Sequence, residues 1–421
     1  MTGQLPPGET GKETSTLRVP HQPQFSRCRV KYVQRRVLVP ALSAVFSIAV
    51  VLSTGVDASA QSSSFPDIGS IFPSTGSIGG GTDSAVAQRI SAIFAEHGVP
   101  GAQVIYTDNN SRKEFNYGVA NAKTGDPVSS LTTFEAASMT KVVGTYVVLQ
   151  LVDEGLLDLD TPLSKYFEYP RIAGDPAAAK ITARMVLTHT SGLPGWATAP
   201  SGPNLDTTPL NIIFEPGTQW SYSGEGFYYL QKTVESLTGM KFTELAKKRV
   251  FDRFGMTSSN LVYNPDFEAV SAVGHAADGT PKALRILTNA NIAFTLRTTA
   301  TDYSNFLRGA LVKGEGLSQA TRDMMFTAAG SADHGGSDKD AIGHIKWGLG
   351  IGLQNNELGK AIWHWGDNGA FKAFFIAYPE TGKSVVILTD SQNGLDTIDE
   401  IDHEFFGPNT VYASRWIKEA E

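Results

Sequence analysis

Residues 134–167 read FEAASMTKVVGTYVVLQLVDEGLLDLDTPLSKYF, and Ser138 and Lys141 stand three residues apart at the start of this long helical pattern. Residues i and i+3 share a helix face, so we expect the lysine amine to reach the serine hydroxyl. A serine at a helix N-terminus also has free backbone N–H groups and the positive end of the helix dipole nearby. These features suit an activated nucleophile whose attack generates an oxyanion. Taken alone, however, S-x-x-K is a weak motif that a helix-capping serine beside an exposed lysine explains better.

Three further segments supply the context that this motif lacks. They are ITARMVLTHTSGLPGW at 181–196, PGTQWSYSGEGFYYLQKTVESLTG at 216–239 and WHWG at 363–366. The first is a helical pattern that ends in a turn carrying His189, and the second places Tyr222 in a tight turn before another helix. The third lies on a predicted strand beside the turn Asp367-Asn368-Gly369. Polar residues at such turns favour a chemical role for Ser138.

Both ends of the chain contribute short β-rich segments. These are GAQVIYT at 101–107, KEFNYGVA at 113–120, AIWHW at 361–365, FKAFFIAY at 371–378 and SVVILTD at 384–390. Their short connections favour antiparallel pairing, because parallel strands need crossovers of a dozen or more residues. Helical patterns flank them at 85–98, with Asp83 or Ser84 as the cap, and at 395–406, while residues 141–311 are mostly helical with long loops. We predict an α/β protein of the α+β type, an antiparallel sheet flanked by helices with an additional helical region.

The N-terminal 60 residues have the three parts of a secretory signal peptide. Residues 1–36 carry seven basic and two acidic side chains, a net charge of +5, and an uncharged run at 37–56 precedes the small-residue triplet Ala58-Ser59-Ala60. The basic part is unusually long and indicates an over-extended start. We expect cleavage and export, to the periplasm or the medium. The alternative is a retained membrane anchor, because the apolar run approaches the roughly 20 residues that span a bilayer.

Residues 61–82 are rich in Ser, Gly and Pro and are predicted to form a flexible linker, followed by a folded domain at 83–410. The formal net charge of −7 argues against a nucleic-acid partner, which requires clustered basic residues. The single cysteine, Cys28, lies in the leader, so the mature protein would have no disulfide and no cysteine nucleophile. We also expect no metal and no cofactor, because the polar residues of the 333–344 loop fit no ligand spacing. These residues are Asp333, His334, Asp338, Asp340 and His344.

The ordered motifs resemble those of the serine β-lactamase and penicillin-binding-protein superfamily. The resemblance is to the branch that contains class C β-lactamases, D-alanyl-D-alanine carboxypeptidases and β-lactamase-fold esterases, and it extends from about residue 85 to about residue 395. It implies the β-lactamase/transpeptidase-like form of the fold predicted above. It also implies acyl transfer in two steps, through an acyl-enzyme that water resolves.

The resemblance implies a role for each motif. Ser138 corresponds to the acylated nucleophile, Lys141 to its partner, Tyr222 to the tyrosine of a Y-x-N element, and His364-Trp365-Gly366 to a K-T-G element. The backbone N–H groups of Ser138 and Asp367 would form the oxyanion hole. A lysine can act as a base only if its pKa is lowered, and a tyrosine only if a neighbouring cation lowers its pKa. A close Lys141–Tyr222 pair is expected to tune both.

Three positions depart from the family pattern. Gly224 stands where the family often has Asn, and His364 replaces Lys and would bind a carboxylate only when protonated or through neutral hydrogen bonds. Trp365 replaces Thr or Ser, offers no hydroxyl and is expected to face the cleft. We predict that His364, Trp365, Gly366, Asp367 and Gly224 bind the substrate in a more apolar pocket than that of a dedicated β-lactamase.

Two groups of residues near the motifs allow other interpretations. The aromatic residues are Trp196, Trp220, Phe227, Trp363, Trp365 and Phe371. They would line an acyl-binding pocket or form sheet and helix core, and both interpretations stay open. His189 is expected to be structural rather than catalytic, because the related motif lies behind the nucleophile helix.

We therefore predict a serine hydrolase that acts on a small-molecule ester, amide or peptide, with a carboxylesterase-like activity preferred. The alternatives are a D-alanyl-D-alanine carboxypeptidase or D-aminopeptidase-type peptidase, a weak β-lactamase, and a non-catalytic module that binds cell-wall peptides. The presence of Ser138, Lys141 and Tyr222 together argues against the last of these. A membrane partner is expected only if the N-terminal segment is retained.

Overall fold

The computed structural model describes residues 81–408 and 411–420. Within them, nine strands form an antiparallel sheet in the order β3-β2-β1-β11-β10-β9-β8-β7-β6. The strands are β1 Gly101–Thr107, β2 Arg112–Asn121, β3 Asp126–Pro127, β6 Gly330–Ser331, β7 Ile345–Trp347, β8 Gly352–Asn356, β9 Gly359–Asp367, β10 Lys372–Tyr378 and β11 Lys383–Thr389. A separate pair joins β4 Phe134–Glu135 to β5 Arg297–Thr298. Because β1 pairs with β11, both chain ends meet at the centre of the sheet, as predicted.

The helices pack on both faces of this sheet. They are α1 Gly81–Glu96, α2 Thr140–Asp153, α3 Ala183–Leu187, α4 Gly224–Thr238, α5 Phe242–Ala246, α6 Asp252–Phe254, α7 Ala300–Phe306, α8 Gln319–Met325, α9 Lys339–His344, α10 Ile398–Phe406 and α11 Tyr412–Ala420. A single 3₁₀ turn, Ala137–Met139, leads directly into α2. The protein therefore has the mixed helix and sheet architecture that the sequence predicts.

Helix α2 occupies the centre of the larger core. All of its side chains from Thr140 to Leu151 are buried, which explains why the helix is apolar on every side rather than on one stripe. The sheet separates two hydrophobic cores. Strand β10 contributes to both, because successive side chains of a strand point to opposite faces of the sheet. Phe375 packs with the α2 core, whereas Phe374 and Ile376 pack with the core beneath α1, α10 and α11. Burial of each such side chain contributes about 1.5–3 kcal/mol, so both faces hold the sheet rigid beneath the nucleophile turn.

Some boundaries differ from the sequence prediction. Helix α1 begins at Gly81, ahead of the predicted cap at Asp83 or Ser84. Strands β6, β7 and β8 were not predicted, because they are two, three and five residues long and lack a clear alternating pattern. Their position depends on pairing in the folded chain, where Gly352 lies opposite Trp363 of β9.

The C-terminal helix α11 extends the fold past the predicted end of the domain at residue 410. Its Trp416 is buried, donates its indole N–H to the Ala332 carbonyl at 2.9 Å and lies 5.4 Å from the rings of both Trp363 and Trp365. Ala413 and Ile417 are buried on the same side. This 413-416-417 spacing is the helical signal that the sequence contained.

The predicted signal peptide at 1–60 lies outside the described residues, as does the predicted linker except for residues 81 and 82, which belong to α1. Among the helices of the described residues, none combines the length and the apolar character needed to cross a membrane.

Candidate active site

The nucleophile turn, Ala137–Met139, lies directly against strand β9. A Cβ added to Gly366 of β9 would collide with the carbonyl oxygen of Ala136, so only glycine permits this contact. Ala137 has a φ of 47°, a conformation that non-glycine residues seldom adopt. Ser138 is the partly exposed residue of an otherwise buried turn. The strained turn therefore presents the Ser138 hydroxyl to the surface at the start of α2.

Lys141 lies one turn further along and is buried. Its Nζ donates hydrogen bonds to Ser138 Oγ at 3.1 Å and to the Ala293 carbonyl at 2.8 Å. The same nitrogen lies 4.7 Å from the centre of the Tyr222 ring and 5.5 Å from that of Phe227. Burial lowers the pKa of Lys141 from 10.5 to about 7. At neutral pH a large fraction of the protein therefore carries a free amine within hydrogen-bonding distance of the serine.

Tyr222 completes the group that the sequence predicted. Its buried hydroxyl faces the Ser138 side chain but forms no hydrogen bond of standard geometry with it. The proximity of Ser138 favours the ionised phenol and so acts to lower the pKa of Tyr222. Burial is the stronger influence and raises the pKa of Tyr222 well above 10. The predicted lowering of the Tyr222 pKa by a lysine cation is therefore wrong. These opposite shifts would suit Lys141 to the role of base and Tyr222 to that of proton donor.

His189 fixes the turn that carries Tyr222. Its Nδ1 accepts a hydrogen bond from the Ser223 N–H at 3.1 Å, and its carbonyl accepts one from the Ser221 N–H at 2.8 Å. The imidazole also packs 4.3 Å from the Tyr222 ring. Burial, followed by the charge of Lys141, holds the pKa of His189 well below 6.5, so the ring stays neutral. These contacts agree with the structural role predicted for His189.

Strand β9 carries Asp367, whose backbone N–H is the second one predicted for the oxyanion hole. The Asn368 N–H donates to the Phe371 carbonyl at 3.0 Å, on the side of β10. Since successive N–H groups of a strand point to opposite edges, the Asp367 N–H points away from β10. Asp367 and Ser138 both line the same cleft. This arrangement fits the predicted pairing of their N–H groups on one substrate oxygen.

The cleft in front of Ser138 has a volume of about 480 Å³. The residues that line it are Ser138, Lys141, Gly195, Trp196, Pro200, Tyr222, Gly224, Arg285, Phe294, Asp367, Asn368 and Gly369. Of the five predicted substrate-binding residues, Gly224 and Asp367 are among them. The structure thus brings together the three predicted catalytic residues and two predicted binding residues.

His364, Trp365 and Gly366 do not line the cleft, which corrects the prediction. Gly366 instead packs against the Ala136 carbonyl beside the nucleophile turn. Trp365 is packed in the core, 4.9 Å from the Tyr222 ring, because side-chain alternation along β9 places it on the same face as Trp363. His364 is buried and contacts the Trp365 carbonyl through Nδ1 at 2.7 Å. Burial, followed by the charge of Lys141, lowers the pKa of His364 to about 3. His364 is therefore neutral and has no exposed nitrogen for a substrate carboxylate.

Trp196 fills the space beside Gly224, the position at which the resemblance implies an Asn. A Cβ added to Gly224 would collide with the Trp196 indole. The loop is fastened in place, because the N–H groups of Gly224 and Glu225 donate to the Gly195 carbonyl at 3.0 and 3.1 Å. The Glu225 carboxylate in turn accepts from the Ala197 N–H at 3.0 Å. The cleft wall at this point is thus a fixed aromatic ring instead of an amide.

Most of the other aromatic residues singled out in the sequence belong to the core. Trp220, Phe227, Trp363, Trp365 and Phe371 are packed in the two hydrophobic clusters, and Trp196 lines the cleft. Phe294, which the sequence reasoning missed, packs edge-on against Trp196 with a ring separation of 5.7 Å. Phe294 and Arg285 lie in a long loop without periodicity, so no sequence signal identified them.

The polar loop at 333–344 serves the C-terminal helix. Asp338 and Asp340 both form ion pairs with Arg415 of α11, at 2.7 and 3.0 Å. His344 stacks on Tyr412 with ring centres 3.8 Å apart. These contacts give the loop a structural role in docking α11.

Comparisons with known proteins agree with this geometry. The Beta-lactamase family model matches residues 86–403, about three quarters of the chain. Penicillin-binding protein 4 of Amycolatopsis lactamdurans is 31% identical over 180 residues, which are 41% of this chain and 47% of that relative. Lovastatin esterase of Penicillium rubens is 34% identical over 158 residues, which are 30% of this chain and 38% of that relative. The chain thus spans less than half the length of either curated relative.

A solved class C beta-lactamase has the same fold. It superposes with a TM-score of 0.65 at 20% sequence identity, and the match covers 78% of this chain and 97% of that chain. The fold, the family model and the arrangement of Ser138, Lys141 and Tyr222 lead to one assignment: the chain belongs to the Beta-lactamase family of serine hydrolases.

Proposed function

We propose that this protein hydrolyses carboxylic esters through an acyl-enzyme on Ser138. The observation that carries the proposal is the 3.1 Å contact between Ser138 Oγ and Lys141, whose burial lowers its pKa to about 7. The names of its relatives include both penicillin-binding proteins and esterases, so the choice among activities depends on the walls of the cleft.

In the first step, the free amine of Lys141 takes the proton from Ser138 Oγ as the oxygen attacks the ester carbonyl. The resulting oxyanion is stabilised by the backbone N–H groups of Ser138 and Asp367. The bond between the carbonyl carbon and the alcohol oxygen then breaks, and Tyr222 donates a proton to the leaving alcohol. Protonated Lys141 then returns a proton to Tyr222. In the second step, water attacks the acyl carbon and the bond between that carbon and Ser138 Oγ breaks. The carboxylic acid is released, and a proton from the water restores the Ser138 hydroxyl.

The cleft walls favour an ester over an amide or a β-lactam. Trp196 fills the space beside Gly224 where an amide side chain would contact a peptide-like substrate. Neither His364 nor Trp365 lines the cleft, so the β9 side offers no side-chain cation or hydroxyl to a leaving group that carries a carboxylate. An alcohol also leaves more readily than an amine, and therefore demands less of Tyr222.

The test is a substrate panel measured on the purified full chain with Ser138→Ala as the blank. The panel contains p-nitrophenyl esters of increasing chain length, D-alanyl-D-alanine peptides, D-aminoacyl amides and nitrocefin. We expect ester turnover that exceeds peptide and nitrocefin turnover by at least about tenfold. Preferred cleavage of the peptides would identify a peptidase and contradict the proposal. Turnover of nitrocefin at a rate close to that of a dedicated β-lactamase would also contradict it. Acylation by none of the substrates, with binding of peptidoglycan fragments, would identify a non-catalytic module.

The pH dependence of ester hydrolysis should report Lys141. The base must be unprotonated, so kcat/KM should rise with pH through an apparent pKa of about 7 and then level. The buried His275–Asp390 pair titrates in a similar pH range, since burial raises the pKa of Asp390 to about 6. Asp390→Asn is therefore the control variant and should leave the midpoint in place. A profile that is flat between pH 5 and 9, or a midpoint that disappears in Asp390→Asn, would exclude Lys141 as the titrating base.

A further inference from the structure

Arg285 brings a positive charge to the rim of the catalytic cleft. It lies in the loop before β5, and its side chain is 33% exposed and lines the cleft with Trp196 and Phe294. Its guanidinium lies 5.3 Å from the centre of the Phe294 ring and donates to Glu135 Oε2 at 3.1 Å. The side chain is thus held in place by an aromatic face and a carboxylate while part of it stays open to the cleft.

The charges around Arg285 do not cancel. The Glu135 carboxylate is shared with the more buried Arg297, at 3.5 Å, and also accepts a hydrogen bond from the Asn368 amide at 2.6 Å. One carboxylate therefore faces two guanidinium groups. Arg297 also donates to the carbonyls of Thr133 and Ala272 and is the more buried of the two, so Arg285 is the guanidinium that keeps more exposed surface for a further partner.

The acidic residue that lines the same cleft does not offset this charge. Asp367 forms an ion pair with Lys372 at 2.6 Å and accepts a hydrogen bond from the Gly369 N–H at 2.6 Å. Its negative charge is therefore already paired. The rim of the cleft presents a net positive group at Arg285 to an entering substrate.

A series of contacts along the rim joins Tyr222 to Arg285. Around the rim, Tyr222 is followed by Gly224 with Trp196 packed on it, then by Phe294 and then by Arg285. Asn368 and Asp367 close the ring on the other side. Because Tyr222 donates the proton to the leaving alcohol, the alcohol lies beside it and the acyl chain must extend away from it. An acyl chain that extends from Tyr222 along the exposed surfaces of Trp196 and Phe294 would reach Arg285.

We propose that the cleft selects acyl groups that carry a second carboxylate, as in the half-esters of dicarboxylic acids, and that Arg285 binds this carboxylate. A guanidinium pairs with a carboxylate through two parallel hydrogen bonds, which gives both affinity and direction. The methylene groups between the two carboxyl ends would pack on Trp196 and Phe294. This inference rests on the ester hydrolysis proposed above and names the class of acyl group that it acts on.

The experiment compares kcat/KM for the monophenyl esters of glutaric and adipic acids with that for phenyl butyrate and phenyl hexanoate. Spontaneous hydrolysis is subtracted with Ser138→Ala. We expect the wild type to prefer the better half-ester over the neutral esters by about tenfold or more. Arg285→Gln should lower this preference about 10- to 100-fold, as expected for loss of hydrogen bonds to a charged group. Arg285→Lys should retain part of it.

Arg249→Gln is the matched control, because Arg249 makes its ion pair with Glu154 on the surface and the variant changes the net charge equally. It should keep the wild-type preference. Equal turnover of charged and neutral esters by the wild type would overturn the inference, as would an Arg285→Gln variant with an unchanged preference. Both results leave ester hydrolysis itself intact, whereas turnover of neither ester class would refute the proposed function.

Discussion

Replacement of Lys141 by methionine should leave a folded protein whose kcat/KM for esters is lower by about 10²- to 10⁴-fold, the usual contribution of a positioned general base. The methionine side chain fits the buried space between Tyr222 and Phe227 without an amine that must be desolvated. Its thermal midpoint should therefore equal or exceed that of the wild type. Steady-state kinetics with a p-nitrophenyl ester and a thermal melt measure the two effects together.

Lys141→Arg separates basicity from charge. A guanidinium keeps the positive charge but is effectively always protonated, so it cannot take the proton from Ser138. We expect a loss as large as that in Lys141→Met. If Lys141→Arg retained more than about a tenth of wild-type kcat/KM, the lysine would be acting as a fixed cation and the proposed mechanism would be wrong.

The second large effect concerns stability. Glu225 and Arg171 form a bidentate pair at 2.6 and 2.9 Å with both side chains almost fully buried. Glu225→Gln leaves the Arg171 guanidinium buried without a counter-charge, and such a loss typically costs about 3–5 kcal/mol. Chemical denaturation of the purified variant should show this decrease in the free energy of unfolding.

The control for this measurement is Glu154→Gln. Its carboxylate pairs with Arg249 at a similar distance, but on the surface. Exposed pairs contribute about 0–1 kcal/mol, because solvent screens them. Similar losses in the two variants would show that burial of the Arg171–Glu225 pair is not what makes it important. Glu225→Gln should also weaken ester turnover, because Glu225 anchors the loop that carries Trp196.

The Ser138–Lys141 contact could be predicted from the sequence because the two residues are only three positions apart. Their spacing at the start of one helical pattern predicts the contact directly, whereas Tyr222 lies far along the chain and was identified by its resemblance to the tyrosine of a Y-x-N element. The central pairing of the sheet could be predicted too, since the strands of both chain ends are apolar, short and closely spaced. The direction of the Tyr222 pKa shift could not be predicted, because it depends on burial of the hydroxyl, which the sequence does not reveal.

The residues that line the cleft walls could not be predicted from the sequence for a different reason. Alternation along β9 shows that Trp363 and Trp365 share a face, but the sequence does not say which face meets the cleft. Arg285 and Phe294 come from a loop more than 140 residues beyond Ser138 and reach the site only through folding. Such contacts between distant segments carry no periodic signal.

Intact-mass spectrometry after reaction with a fluorophosphonate probe tests the acyl-enzyme on Ser138 most directly. The wild type should gain the mass of one probe, and Ser138→Ala should gain none under the same conditions. Lys141→Met should react much more slowly, since the serine would lack its base. Equal labelling of wild type and Ser138→Ala, or no labelling of the folded wild type, would contradict a nucleophilic Ser138.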